Sequence, residues 1–324
     1  MLVVPCRSDN PECWPTAFQF DPNGNLWYLE RLTGEIRVYN PTTKQDSLWA
    51  TLPFVSTVGE RGALGLALDP RFRTSPWVYA YYSKVTRAGV RNRIVRLFQK
   101  PDGGFILQQL LVIPSGSIHN GGKLRFGFDG KLWTVAGEAG HSYLAQDRTS
   151  LGGKVLRLIK NGGVPRGNPY GTPVFSYGIR NSFGLVFDPM TKLLWETENG
   201  PQCNDELNVI VRAGNFGWGP KQKCPRTNNS GPSPRQYPKA TYTPTIAPTG
   251  AAFCFSCGLG SSIEGNLLFG SWKDQAIRAV QLTPDRTSVV STTVIYTHPS
   301  GILDLEPGPG GVYFSSPDGI YQLV

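Results

Sequence analysis

The residues best equipped for chemistry in this chain fall in short polar segments, each set close to an apolar strand pattern. His119 stands among Ser117, Asn120, Gly121 and Gly122, so its imidazole can face a cavity with no bulky side chain beside it. Imidazole has an ordinary pKa near neutrality, which suits it to accept a proton at ambient pH. Arg180-Asn181 offers a cation and an amide, Glu198-Asn199-Gly200-Pro201 an acid and an amide before a turn, and Gly59-Glu60-Arg61-Gly62 a further acid and cation. Pro244-Thr245 adds a hydroxyl and Trp272-Lys273 another cation. Taken singly, each of these has a structural use. Gathered around one axis, they suit an anionic, planar ligand held beside a proton-accepting base.

The elements that must gather them are strands. After His119 the pattern Lys123-Leu-Arg-Phe, a tight turn at Asp129-Gly130 and then Lys131-Leu-Trp-Thr-Val alternates with a period of two, which predicts a half-buried hairpin. The same order recurs along the chain: an apolar strand, a turn rich in Asp, Pro or Gly, a Trp- or Tyr-bearing strand, then a strand carrying Arg or Lys. Copies begin at Thr16, Gly65, Ser117, Gly184, Pro248 and Ile302, the fifth being the most divergent. Six degenerate copies, each worth about four short antiparallel strands, predict an all-β, six-bladed β-propeller filling residues 1–324 as a single domain. A propeller brings the loops ahead of its blades to one end of a central channel.

Composition agrees with that architecture and narrows the partners. The chain has 38 Gly and 27 Pro in 324 residues, enough for many turns, and no long helical run. The net charge of +9 is scattered, with no basic run to track a phosphate backbone, so nucleic acid is not an expected partner. No stretch approaches the ~18 apolar residues of a membrane span. The six cysteines fall in close pairs, Cys6 with Cys13, Cys203 with Cys224 and Cys254 with Cys257. Only the last has zinc-like spacing, and disulfides in an oxidising compartment are the expectation, with connectivity open. The sequon Asn228-Asn229-Ser230 is compatible with export. The opening residues, MLVVPC, are too short an apolar run for a signal peptide, so an exported form implies a leader absent from this chain.

Several segments, in order, resemble the soluble PQQ-dependent sugar dehydrogenases, the glucose/sorbosone dehydrogenase family. They are Gly59 to Phe72, His119 to Glu138, Ala145 to Leu158, Tyr177 to Pro189 and Asn199 to Trp218. The resemblance implies oxidation of an aldose to a lactone, with PQQ and Ca²⁺ as cofactors and an external electron acceptor. It makes His119 the general base at the anomeric hydroxyl, and Arg180 and Asn181 the pair that contacts the reacting quinone oxygen. Glu60, Asn199, Thr245 and Lys273 stand as further cofactor contacts. Gly200 and Pro201 match carbonyl ligands of the Ca²⁺ that also binds PQQ, and Asp205, Glu206 and the Phe216 carbonyl match a second, structural calcium site. A periplasmic or secreted protein, monomeric or weakly dimeric, is the corresponding expectation.

The chain departs from the family pattern at defined positions. Glu60 stands where glucose-specific members carry glutamine, and Ile118 where they carry an aspartate. The last repeat, at Gly301-Ile-Leu303-Asp304, lacks two arginines that hold PQQ carboxylates in other members, and Arg61, Lys123 and Arg125 are candidate replacements. A non-catalytic extracellular propeller that binds a ligand or protein is the alternative these departures leave open.

Overall fold

In the computed structural model, which describes residues 1–324, the strands form six four-stranded antiparallel sheets. These are the blades of the expected propeller. Their first strands are Pro15–Phe20, Ala63–Leu68, Leu124–Phe126, Ser182–Phe187, Pro248–Phe253 and Asp304–Gly308, numbered here as blades 1 to 6. Each contacts the first strand of the next blade, and the sixth contacts the first, so they ring the central channel. The ring closes with the chain's own start: Leu2–Pro5 pairs antiparallel with Gly319–Leu323 as the outermost strand of blade 6.

The hairpin after His119 forms where the alternation put it, with Leu124–Phe126 paired to Leu132–Ala136. Its burial differs from the half-buried expectation. Every residue of Leu132–Ala136 is buried, because a blade is sandwiched between two neighbours rather than between core and solvent. The period of two sorts side chains between those neighbours. Leu124, Leu132 and Ala136 pack with Tyr79, Tyr81 and Ile94 of blade 2, whereas Trp133 and Val135 pack with Leu185 and Leu194 of blade 4. Alternation is read here as left against right. Solvent appears at the outermost strands, such as Val289–Thr297, where most side chains are exposed or half-buried.

Two excursions leave the blades near the site. One, between the second and third strands of blade 3, carries the short helix Tyr143–Gln146. The other, between Asp205–Ile210 and Ala240–Tyr242 of blade 4, carries Phe216 and Trp218. Disulfides join Cys6 to Cys13, Cys203 to Cys224 and Cys254 to Cys257, so no thiol is free to bind zinc.

Candidate active site

A cavity of about 410 Å³ opens at the end of the channel where the first strands begin. All six blades contribute to its wall. Thr16, Leu64, Lys123, Phe183, Thr249 and Leu303 lie at or beside the first-strand starts, and Trp14, Glu60, His119, Arg180, Asn181 and Ala247 lie in the segments ahead of them. Arg31, Asn199 and Trp272 each follow the last residue of a blade's second strand. The channel's opposite mouth is larger, about 600 Å³, but is lined chiefly by the Asp-Pro turns and phenylalanines at the other end of the same strands. The groups suited to acid–base chemistry gather at the first mouth.

His119 is held at three points. Its Nδ1 lies 2.7 Å from Oε1 of Glu138, its backbone N–H donates to Oε2 of Glu60 at 2.6 Å, and its carbonyl accepts the Ala139 N–H at 2.9 Å. The residue sits at φ 58°, a left-handed conformation that a non-glycine residue keeps only when its surroundings impose it. Room for it comes from Gly137, where a Cβ would stand 2.2 Å from the His119 carbonyl oxygen. With Nδ1 given to a buried carboxylate acceptor, the proton sits on Nδ1, and Nε2, which has no protein partner, is the lone-pair nitrogen. The ring is nearly buried yet lines the cavity.

Arg180 and Asn181 lead into the first strand of blade 4. The Arg180 Nη1 donates to the Asn199 carbonyl at 2.8 Å, its guanidinium lies 5.4 Å from the centre of the Trp218 ring, and its backbone N–H donates to Glu198. Burial pulls the guanidinium below its ordinary pKa, opposed by the charges of Glu138, Glu198 and Glu60. Asn181 ties three blades together: its Oδ1 accepts the Gly121 N–H at 3.2 Å and its Nδ2 donates to Glu60 at 3.4 Å. Asn199 is fixed by a 2.9 Å bond from Nδ2 to the Pro248 carbonyl.

Lys273 and Thr245 are hydrogen-bonded to each other at an exposed position and are not part of the wall, although Trp272 and Ala247 close by in the chain are. Gly200 and Pro201 border a separate small void with Arg180, Glu198, Glu206, Trp218 and Asn228. The carbonyls of Gly200, Pro201 and Phe216 accept no hydrogen bond from the chain, and Oε2 of Glu198 is buried without a partner. Burial and mutual repulsion push the carboxyls of Glu196, Glu198 and Glu206 upward. Burial raises Asp205 as well, against the lowering effect of the N–H groups of Gly200, Ile246 and Ala247, which its carboxylate accepts at 2.7, 2.6 and 2.7 Å. Asp205 pins the Gly200 turn to the entry of blade 5.

The candidate replacement cations separate. Lys123 reaches the cavity, but its Nζ is clasped by Asp304 and by Oε1 of Glu306 at 2.8 Å. Arg125 pairs with the other oxygen of Glu306 and lines the opposite mouth. Arg61 is not part of the cavity wall.

The model of the family described as Glucose / Sorbosone dehydrogenase matches residues 12–321. The chain belongs to the glucose/sorbosone dehydrogenase family. It is 26% identical to the aldose sugar dehydrogenase YliI of Escherichia coli (strain K12), over 96% of this chain and 88% of that one. Over 63% of its length it is 32% identical to quinoprotein glucose dehydrogenase B of Acinetobacter calcoaceticus, spanning half of that protein. The PQQ-bound aldose sugar dehydrogenase of Streptomyces coelicolor superposes with a TM-score of 0.83 at 30% identity, covering 98% of this chain and 90% of that chain.

For this member of the glucose/sorbosone dehydrogenase family, the sequence pattern leaves without a role two residues of the wall, Trp14 and Arg31, and the ring partner of His119, Glu138. Trp14 lies directly ahead of the first strand of blade 1. Arg31 follows the second strand of blade 1 just as Asn199 and Trp272 follow those of blades 4 and 5, so the repeat itself contained the signal. In blade 3 that place is Gly137, and Glu138 lies one residue further on, against His119.

Proposed function

We propose that the chain is a PQQ- and Ca²⁺-dependent dehydrogenase that oxidises an aldose at the anomeric carbon to its lactone. The observation that carries this is His119: a ring locked through Nδ1 by Glu138, with Nε2 free on a cavity walled by cations and amides, in a chain of a sugar dehydrogenase family. The wall fits a planar polyanion, because Arg31 and Arg180 supply positive charge and Trp14 and Trp272 supply flat apolar faces. The free carbonyls of Gly200, Pro201 and Phe216, with the buried carboxylate of Glu206, are hard oxygen donors of the kind calcium takes. Gly200 and Pro201 would hold the ion beside PQQ. Glu206 and the Phe216 carbonyl would hold the structural ion, with Asp205 keeping the segment in register.

When bound, PQQ with its Ca²⁺ would supply the electrophile that accepts the hydride, and with it both electrons of the oxidation. The rest of the chemistry falls to the chain. His119 Nε2 takes the proton of the anomeric hydroxyl as the C1–H bond breaks, and the C1–O bond becomes the lactone carbonyl. General-base help of this kind is worth about 10²–10⁴-fold. Glu138 holds the ring in the accepting tautomer, and the proton then leaves to solvent. Arg180 and Asn181 direct donors at the oxygen on which negative charge develops. Thr245 and Lys273 support the wall beside Trp272, and Glu60 holds the backbone of His119 and the Asn181 amide. An external acceptor removes the electrons, and the three disulfides support a periplasmic or secreted setting.

The test is a spectrum of the purified protein after addition of PQQ and Ca²⁺, followed by an aldose. Calcium-dependent binding with bleaching of the oxidised quinone on sugar addition is the expected result. Absence of PQQ binding at micromolar levels overturns the dehydrogenase and leaves a ligand-binding propeller.

A further inference from the structure

Three side-chain cations face the cavity, and they are not equivalent. Lys123 is 3% exposed and already balanced by Asp304 and Glu306. Arg180 is committed to the Asn199 carbonyl and packs on Trp218. Arg31 has no carboxylate partner. Its Nε donates to the Arg61 carbonyl at 3.1 Å and its Nη2 to the Gly59 carbonyl, while Nη1 makes no bond within the chain. The neighbouring acid, Glu60, has one oxygen turned to the N–H of His119 and to Asn181.

The position of Arg31 is built. Its N–H donates to the Trp14 carbonyl and its carbonyl accepts the Ala63 N–H, both at 3.0 Å, which fixes the backbone between blades 1 and 2. The stem passes where Gly62 has no side chain: a Cβ there would meet Arg31 Cγ at 2.5 Å. The guanidinium lies 5.2 Å from the centre of the Trp14 ring, and Trp14 in turn packs 5.4 Å from Trp272. Two carbonyls thus hold one side of a planar cation against an indole and leave Nη1 for a ligand. Such a fork is suited to a carboxylate.

We propose that Arg31, backed by Trp14, binds a carboxylate of the planar quinone cofactor and supplies from blade 1 a charge that the sixth blade of this chain does not. The proposal rests on the PQQ reading above. An acidic sugar would offer Arg31 the same chemistry, so the experiment must separate the two sources.

Equilibrium binding of PQQ and of its trimethyl ester, in the presence of Ca²⁺, is measured for wild type, Arg31→Gln and Arg31→Lys. A lost charge-assisted hydrogen bond corresponds to roughly 10- to 100-fold in Kd. The expected result is a loss of about that size for PQQ in Arg31→Gln, a smaller loss in Arg31→Lys, and equal ester affinity in all three proteins. Equal weakening of PQQ and ester means that the substitution disturbed the 59–61 loop, and it overturns the proposal. Unchanged PQQ affinity with a KM raised for a uronic acid but not for a neutral aldose assigns Arg31 to substrate and also overturns it. Failure of wild type to bind PQQ at all removes the cofactor reading itself, a result distinct from wild-type binding that Arg31→Gln leaves intact.

Discussion

Glu138 and His119 meet at 2.7 Å although 19 residues separate them, because the blade 3 hairpin continues past its last strand residues. The Gly122 N–H donates to the Val135 carbonyl and the Ala139 N–H to the His119 carbonyl, both at 2.9 Å, which carries the pairing outward until the carboxylate lies against Nδ1. Glu138 is thus a positioning residue. His119→Gln is expected to keep the fold and most cofactor affinity and to lower kcat by about 10²–10⁴-fold, since an amide cannot accept the proton. Glu138→Ala is expected to lower kcat with KM nearly unchanged, and Glu138→Gln to recover most of the loss, because its carbonyl can still accept from Nδ1–H. Steady-state kinetics at saturating cofactor check this. Equal losses in the Ala and Gln variants would mean that Glu138 acts by its charge rather than as an acceptor.

The propeller was legible because its blades repeat, and His119 because glycine and small polar residues are rare company for an imidazole beside a strand. Glu138 ends the segment His119 to Glu138 that carries part of the family resemblance, but its partner follows only from the register of the hairpin. The carboxylates that clasp Lys123 lie 181 and 183 residues away, on the far side of the ring closure, so no local pattern announces that this cation is already neutralised. The full burial of Leu132–Ala136 escapes the local pattern for a similar reason. A period of two reports that a strand has two different faces, and only the packing of blade on blade reveals that both are covered.

The Cys203–Cys224 bridge closes a loop that contains Glu206 and Phe216, with a sequence separation of 21 residues. A loop of that size restricts the unfolded chain by about 3 kcal/mol in the chain-entropy treatment. Asn204, next to the bridge, bonds to the Pro225 carbonyl at 2.9 Å and to the Thr227 hydroxyl at 3.0 Å, so the bridge also orders the turn around the small void. Replacing both cysteines with serine is expected to lower unfolding stability by about that amount. It should also reduce the extra thermal stability conferred by added Ca²⁺. Thermal unfolding with Ca²⁺ and with chelator measures both; an unchanged calcium increment would separate the bridge from the ion site.

Lys154 carries a pH dependence of stability. Burial pushes its amine down to about 7, although Nζ donates to the carbonyls of Leu144, Ala145 and Gly152 at 2.6, 3.1 and 2.5 Å. The unfolded amine titrates near ~10.4. Between pH 7 and that value the unfolded chain holds the extra proton, so this group makes stability rise with pH across the window, and it adds no slope below it. Lys154→Met is therefore expected to be more destabilising at pH 9.5 than at pH 6.5, tested at about those two values by urea unfolding. Equal effects at both would place the folded amine near its ordinary value.

The strand that closes the ring should govern stability more than chemistry. Leu2–Pro5 pairs Leu2 with Tyr321, Val4 with Ile320 and Pro5 with Gly319, and Val4 is buried with Phe18, Leu26 and Tyr28 between blades 6 and 1. Deleting residues 1–5 exposes the edge of Gly319–Leu323 and the surface under Val4, whose burial alone is worth about 1.5–3 kcal/mol. An unpaired edge also invites association. Trp14 remains tied independently, by its N–H to the Pro317 carbonyl at 3.0 Å and by the neighbouring Cys6–Cys13 bridge. The truncated chain is expected to melt several degrees lower and to aggregate on heating, while binding PQQ at low temperature with nearly wild-type affinity. Differential scanning calorimetry and a binding titration at 10 °C, about the temperature at which such domains are most stable, measure the two effects separately. An unchanged melting temperature would show that blade 6 closes without its fourth strand, and a large loss of PQQ affinity would show that this strand, rather than the disulfide, holds Trp14 at the cavity mouth.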